Sequence, residues 1–426
     1  MDIDESRHLL QRTGFSAPPA NVVLVASLQR DDAIRMIVEN AGDVAPIAAP
    51  EWVETPMQRA LEFKELRPDL RQIANRQRRN RQRRYIDELR GWWLSNLVVT
   101  ENPLAARMTL FWQNHFTSSV QKVRYAQLMY EQHRTLMKYS LGKFGSLTSA
   151  MLRDPALLIY LDNRASRRSR PNENLARELL ELFTLGEGRY SERDVRETAR
   201  ALTGVKLSEQ FDYRFDSESY DPTEKTIFGV TGTFALEELV DLILRQPSTA
   251  EFIVSKLWAS VGGGHLSARS LDGLASEFRS SDYDIKHLWR SLLNCHEFWD
   301  ASVRGRIFKS PVEYVVGSMR TLQLEPSEPD VLVRATVAMQ QSIYAPPTVK
   351  GWPGGQSWIN ARTLIARKRF MSSLLSDDAV HIERSAAGLG GPILRQALLP
   401  AELASSVRPS GHPLSAAMSA LAYNLC

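Results

Sequence analysis

The chain has 426 residues, 43% of them hydrophobic and 24% charged, so it is long enough and apolar enough to bury a large core. The formal net charge is only +4, which argues against a protein whose whole surface binds nucleic acid or membranes. Two cysteines exclude a disulfide framework and a cysteine-based zinc site, and nothing requires an oxidising compartment.

The N-terminal segment has no apolar export signal, and no run of about 18 apolar residues occurs in the sequence. We therefore expect no membrane span. From the absence of a signal we expect a cytoplasmic location, with association with the envelope or periplasm as the alternative.

Helical periodicity begins early, at residues 3–13 and 21–40. An arginine-rich segment then begins at Arg71 and ends at Arg84, and its composition predicts an exposed helix. An anionic polymer such as nucleic acid is one expected partner of this helix. A solvated face paired with local acids is the alternative, because no aromatic residues are interleaved.

Further helices are predicted at residues 86–99, 104–114, 122–141 and 146–153, before a stretch rich in carboxylates and amides at 171–204. In this stretch Asn172 is expected to cap a helix that ends at Gly186. A second helix is expected to begin at Ser191, in a capping box with Asp194, and to stop at Gly204.

Glu178 lies beside the apolar stripe of the first of these helices, with Asn174 next to it. Its carboxylate is therefore expected to be half buried, and it then needs a cation, several donors or a raised pKa. A polar pocket is one interpretation. The alternative is a structural ion pair with an arginine, for which Arg193, Arg196 and Arg200 are the candidates.

Alternating aromatic residues and glycine turns at 207–234 predict a small hairpin. Helices are then expected over most of 235–341 and at 360–375, separated by a shaped Pro/Gly loop at 345–358. The predicted fold is mainly α, with one large multi-helix domain at 1–370, a small β-hairpin-like insertion, and a weakly patterned C-terminal extension at 371–426.

Six ordered segments together resemble one bacterial family of unknown function, DUF1800, and they extend over nearly the whole chain. They lie at residues 110–123, 154–163, 171–204, 220–229, 306–322 and 345–360. The resemblance implies a mostly helical fold. It also implies, through common gene neighbourhoods, a sulfatase-like or alkaline-phosphatase-like partner and work on envelope or extracellular glycans.

The family pattern matches this sequence at three polar blocks, whose residues are Trp112, Asn114, His115, Phe116 and Lys122; Asn172, Glu173, Asn174, Arg177 and Glu178; and Pro346, Pro347, Lys350, Gly351, Trp352, Gly355 and Trp358. In a fourth block Lys225 and Gly229 match. There the family usually has a His-Asp pair, whereas this chain has Tyr220 and Asp221, which puts any role of that histidine in doubt.

The matched residues lead to a site prediction built on His115, Glu178 and Asp221 as catalytic residues and as ligands of a divalent metal. One histidine with two carboxylates is typical of a hard-metal or non-haem iron site, and a histidine beside a carboxylate also makes a general base. The alternative for His115 is a hydrogen-bonded core residue. The expected substrate contacts are Asn174, Arg177, Lys122, Lys225, Lys350 and Trp352.

Two functions remain open at this point. One is an enzyme, metal-assisted or not, that acts on an anionic or glycan substrate. The other is a helical partner or scaffold for the sulfatase-like protein, in which the polar blocks are structural networks. If His115, Glu178 and Asp221 converge around an open pocket, the enzyme is favoured. If each of them is paired with an arginine and buried away from water, the scaffold is favoured.

Overall fold

The computed structural model describes residues 1–42, 48–325, 328–376, 391–399, 417, 418 and 420–426. The described fold is mainly α with two small antiparallel sheets, which confirms the predicted fold class. The helices are α1 Ile3–Thr13, α2 Pro19–Ala26, α3 Arg30–Glu39, α4 Pro68–Val99, α5 Pro103–His115, α6 Val120–Val123, α7 Ala126–Lys138, α8 Phe144–Met151, α9 Pro155–Tyr160, α10 Glu173–Glu178, α11 Glu192–Ala201, α12 Leu236–Leu244, α13 Pro247–Val261, α14 Ala268–Ser280, α15 Ile285–Asn294, α16 His296–Trp299, α17 Pro311–Thr321, α18 Pro329–Ala338, α19 Ala361–Ser376 and α20 Gly391–Leu398.

The predicted helix at 21–40 is two helices, α2 and α3. Helix α2 ends where the Ser27 hydroxyl donates to the Leu24 carbonyl at 2.6 Å, and α3 begins three residues later. Serine side chains compete in this way with the backbone bonds that would continue a helix.

The arginine-rich segment is helical, as predicted, and continues without a break to Val99 as the 32-residue helix α4. Its C-terminal half is buried at residues such as Leu89 and Trp93, whereas most arginines of the N-terminal half are exposed. Binding of an anionic polymer there stays a prediction. Within the described residues, no helix is both long enough and apolar enough to cross a bilayer.

The predicted helix boundaries in 171–204 are confirmed at both N-termini. The Asn172 side chain accepts from the Asn174 amide at 3.1 Å, and Ser191 with Asp194 forms the capping box. The structure adds one feature: α10 continues as a π-helix, Leu179–Thr184, before Gly186 turns the chain with a φ of +90°. π-Helical turns inside α-helices are frequent at functional sites because they redirect side chains and carbonyls.

The predicted hairpin region contains two hairpins. Strand β1 Val205–Leu207 pairs with β2 Tyr213–Phe215, and β3 Lys225–Ile227 pairs with β4 Val230–Gly232, both antiparallel. Strand β3 packs against α11.

The predicted boundary at residue 370 stays a prediction, and much of 371–426 lies outside the described residues. The last residues of the chain do pack on the main body. The Lys309 amide donates to the Asn424 carbonyl at 2.8 Å, and the Cys426 amide to the Ile307 carbonyl at 2.9 Å. Cys426 is 2% exposed, so this end of the chain is part of the core.

Candidate functional site

His115 is the last residue of α5 and is buried among aromatic rings. Its Nε2 lies 2.9 Å from the Phe183 carbonyl of the π-helix, which can only accept, so Nε2 carries the proton. Nδ1 then accepts from the ammonium of Lys256 at 3.1 Å. Burial lowers the pKa of His115 well below its ordinary value, and the neighbouring Lys256 charge lowers it further.

Lys256 on α13 completes this arrangement. Its ammonium also donates to the Leu182 carbonyl at 3.1 Å, so Lys256 and His115 together bind two consecutive carbonyls of the π-helix. Carbonyls at a helix C-terminus lack intrahelical donors, which explains why both side chains point there. His115 is therefore the hydrogen-bonded core residue of the alternative interpretation, and its two ring nitrogens are both occupied.

Burial lowers the pKa of Lys256 to about 8. Between that value and the ordinary 10.5 the unfolded chain binds a proton that the folded protein does not, so this lysine makes the fold more stable as pH rises. We expect the free energy of unfolding of the wild type, relative to Lys256→Met, to increase by up to about 1.4 kcal/mol per pH unit above pH 8. Urea unfolding across that range measures it, and a difference that does not change with pH would contradict it.

Asp221 lies in a separate ion-paired network. One carboxylate oxygen accepts from Arg200 Nε at 2.7 Å, and the other accepts from the Thr223 amide at 3.0 Å. Burial acts to raise the pKa of Asp221, but these donors outweigh it and hold the pKa at about 2. Lys225, which is 1% exposed, donates to the Asp221 carbonyl at 2.6 Å. Both residues hold the base of the β3–β4 hairpin.

The predicted metal site of His115, Glu178 and Asp221 is not assembled. Among the described residues, one group of three potential ligand residues lies close together, and it is Cys295, His296 and Glu297. His115 is turned toward π-helix carbonyls and Asp221 toward Arg200, because each satisfies a nearer partner. A buried neutral imidazole with both nitrogens bonded has no lone pair left for a metal.

Glu178 is half buried, as predicted, and the alternative interpretation, an ion pair with an arginine, is not seen among the described residues. Arg200 binds Glu197 and Asp221 instead. Within the described chain Glu178 has no hydrogen-bond or ion-pair partner. Burial raises the pKa of Glu178, the nearby charge of Glu181 raises it further, and Lys350 and Arg177 offset only part of the rise.

The side chains around Glu178 form a polar face that we call the carboxylate face: Glu178, Glu181, Tyr160, Tyr190 and Lys350. Tyr190 donates to Glu181 Oε2 at 2.8 Å, and the Lys350 ammonium lies 4.0 Å from Glu181 Oε1. The pKa of Tyr160 is raised by burial and by the Glu178 charge. The sequence could have pointed to Glu181, because it lies one helical turn after Glu178. No pattern in the sequence links Tyr160 or Tyr190 to Glu178.

The other predicted substrate contacts mostly have structural partners. Arg177 forms two hydrogen bonds with the Glu192 carboxylate, at 2.7 and 2.8 Å. Asn174 donates to the Leu161 carbonyl at 3.3 Å. Lys122 is ion-paired with Asp162 at 2.6 Å, and its ammonium lies 5.8 Å from the centre of the Tyr160 ring, beside the carboxylate face.

Trp352 is positioned by Asn114, whose Oδ1 accepts from the Trp352 amide at 2.7 Å. The Trp352 ring lines a cleft of about 190 Å³ together with Phe111, Asn114 and Trp358. The loop at 345–358 therefore contributes Lys350 to the carboxylate face and Trp352 to this neighbouring cleft.

Residues 8–423 match the model of one protein family, described as "Protein of unknown function (DUF1800)". The chain belongs to the DUF1800 family. Neither the comparison with curated proteins nor the comparison with solved structures gives a match.

Tyr220, where the resemblance to the family led us to expect a histidine, has a structural partner in this DUF1800 protein. Its hydroxyl donates to the Phe234 carbonyl at 3.0 Å, and its ring lies 5.0 Å from the Lys225 ammonium. The Tyr220 side chain thus links the hairpin region to the segment that precedes α12.

Proposed function

We propose that this protein is an enzyme that hydrolyses a polar substrate of the glycan class at the carboxylate face, with Glu178 as the proton donor. One observation carries the proposal: Glu178 is a half-buried carboxyl group that has no partner in the described chain and has a raised pKa. Structural carboxylates are normally paired, whereas a general acid must keep its proton near neutral pH.

Glu181 supplies the second carboxylate that such a reaction needs. In the proposed step the Glu178 carboxyl protonates the leaving oxygen while the C–O bond breaks. Water adds to the carbon, and Glu181 accepts its proton. The Tyr190 hydroxyl orients Glu181, and the Lys350 ammonium lies 4.0 Å from Glu181 Oε1. Trp352 is available nearby as an apolar surface for a sugar ring.

A bound divalent cation is a variant of the same proposal. Glu178 and Glu181 both offer oxygen ligands, which hard cations such as Mg²⁺ and Ca²⁺ prefer. Elemental analysis of the purified protein tests it: a stoichiometric ion that is lost in Glu178→Gln supports the metal-assisted form, and no ion supports the metal-free reaction.

The test of the hydrolase compares Glu178→Gln with Glu173→Gln, an exposed glutamate on the same helix. Release of reducing ends is measured on neutral, uronate-containing and sulfated polysaccharides. We expect Glu178→Gln to lower the rate by about 10²-fold or more and Glu173→Gln to leave it within about twofold. Because the charged form of Glu178 is disfavoured by the fold, Glu178→Gln should melt no lower than the wild type at neutral pH.

If the wild type releases no reducing ends from any of these polymers, or if Glu178→Gln keeps the rate, the hydrolase proposal fails. The scaffold for a sulfatase-like partner would then be preferred. That alternative is supported by the pairing of Arg177, Asp221 and Lys225, whose ion pairs and hydrogen bonds stabilise the fold itself.

A further inference from the structure

A second concave surface lies beside the β1–β2 hairpin, apart from the carboxylate face. It is an open cleft of about 920 Å³ between this hairpin and the segment 162–174. Five cationic side chains line it, and none was expected from the sequence to have a functional role: Arg164, Arg167, Arg170, Lys206 and Arg214.

Four of these cations form two like-charge pairs. Lys206 and Arg214 are directly opposite each other in the β1–β2 register. Arg167 and Arg170 are also opposite, joined by Arg170 N–H donating to the Arg167 carbonyl at 2.8 Å and the reciprocal bond at 3.3 Å. Directly opposite residues of an antiparallel pair project to the same face, where like charges repel each other. The two walls of the cleft are the β1–β2 hairpin and the segment 162–174, and each thus carries one pair of like charges that repel each other.

The two walls are held in a defined relative position. The Arg168 amide donates to the Ser219 carbonyl at 2.8 Å. The Lys206 ammonium donates to the carbonyls of Arg164, at 3.3 Å, and of Ser166. The cations therefore face one cleft because backbone bonds place them there.

Three carboxylates also line the cleft and offset part of this charge, since Asp216 interacts electrostatically with both Lys206 and Arg214. The Asp162 carboxylate lies 2.6 Å from the Lys122 ammonium, and the Glu173 carboxylate lies 4.0 Å from the Arg177 guanidinium. The Asp216 carboxylate accepts a hydrogen bond from the Ser219 hydroxyl at 2.7 Å. In the part of the chain that the structure describes, the arginines of the cleft form no ion pair with a carboxylate. Four unpaired guanidinium groups around one cavity leave an excess of positive charge that a bound anion would offset.

We propose that this cleft is a binding site for a ligand with two or more phosphate or sulfate groups. Guanidinium groups bind such oxyanions through paired N–H donors, and an anion between opposing arginines replaces repulsion by attraction. The site is independent of the proposed hydrolysis, since none of its cations belongs to the carboxylate face.

The experiment uses isothermal titration calorimetry of the full chain with inorganic pyrophosphate and, separately, with a disulfated disaccharide, at constant ionic strength. The test variant is Arg170→Gln with Arg214→Gln, which removes one cation from each wall. The control is Arg269→Gln with Arg334→Gln, two exposed arginines of α14 and α18 that also lack a carboxylate partner in the described chain and lie outside the arginine-rich segment of α4.

The wild type is expected to bind at least one of the two probes, and the probe with the lower Kd distinguishes a phosphorylated from a sulfated ligand. The test variant is expected to bind at least about tenfold more weakly, and the control within about twofold of the wild type. Failure of both probes to bind, or an equal loss of affinity in the control, overturns the proposal.

Thermal unfolding gives a readout that does not depend on calorimetric heats. Without ligand the test variant should melt no lower than the wild type, because it relieves both repulsive pairs. Pyrophosphate should raise the Tm of the wild type and leave that of the test variant unchanged. A test variant that melts well below the wild type, or that gains the same Tm shift, also overturns the proposal.

Discussion

Replacing Gly351 with alanine is expected to lower the free energy of unfolding by roughly 3–5 kcal/mol. Gly351 has a φ of +82°, a conformation that alanine adopts only with strain. A Cβ atom there would lie 2.6 Å from the Asn114 carbonyl oxygen and closer still to Asn114 Oδ1. Since Oδ1 accepts from the Trp352 amide, the substitution would both clash and break the bond that positions the loop.

Gly354 provides the matched control. It has a φ of +70° but no atom within 4 Å of an added Cβ, so Gly354→Ala carries the backbone strain alone. We expect it to lower the free energy of unfolding by about 1–3 kcal/mol, less than Gly351→Ala, as measured by urea unfolding of both variants. Equal losses in the two variants would show that close packing against Asn114 does not determine the conformation of this loop.

The second large effect is expected from Arg107→Met. The Arg107 guanidinium lies 2.7 Å from the Glu313 carboxylate, and the two side chains are only 9% and 15% exposed. Removing Arg107 leaves the buried Glu313 carboxylate without its counter-charge, which costs roughly 3–5 kcal/mol of the free energy of unfolding. Burial acts to raise the pKa of Glu313, but Arg107 and the Ser310 hydrogen bonds outweigh burial and hold the pKa below its ordinary value.

Because the pKa of Glu313 is lowered, the loss of stability caused by Arg107→Met depends on pH, and the direction of that dependence can be predicted. A carboxylate with a depressed folded-state pKa stabilises the fold above its unfolded pKa of about 4.3, and that contribution is lost as pH falls through the folded value. The difference between the wild type and Arg107→Met should therefore be largest at neutral pH and shrink in acid.

Arg35→Met is the control for the buried pair, because Arg35 and Asp32 form an exposed pair at 3.6 Å. It should change the free energy of unfolding by less than about 0.5 kcal/mol. The double variant Arg107→Met with Glu313→Gln should recover part of the stability, since the remaining side chain is neutral. A double variant as unstable as the single one would contradict the ion-pair explanation.

Several local features followed from the sequence because they depend on neighbours within one helical turn. The cap at Asn172 and the capping box of Ser191 with Asp194 are side-chain bonds to amides two or three residues away. The half-buried position of Glu178 followed from helical periodicity, which places it at the edge of an apolar stripe. The π-helix after Glu178 was not predicted, because its carbonyls are bound by His115 and Lys256 from distant helices.

The predicted ligand set failed for the same reason. Residue types alone make His115 and Asp221 plausible metal ligands, but a side chain binds the partner that the fold brings nearest. For His115 that partner is the Phe183 carbonyl, and for Asp221 it is Arg200. The sequence separations between these partners are 68 and 21 residues, beyond what helical periodicity can relate.

By itself the sequence determined the helical class, the main helix N-termini and the edge position of Glu178, since these depend on local hydrogen bonds and on the 3.6-residue repeat. Only the tertiary structure decided that Glu178 has no partner among the described residues, that both ring nitrogens of His115 are hydrogen-bonded, and that the like-charged residues of the arginine-lined cleft face each other. These outcomes depend on distances between segments far apart in the chain, which packing of the whole core sets and no local pattern encodes.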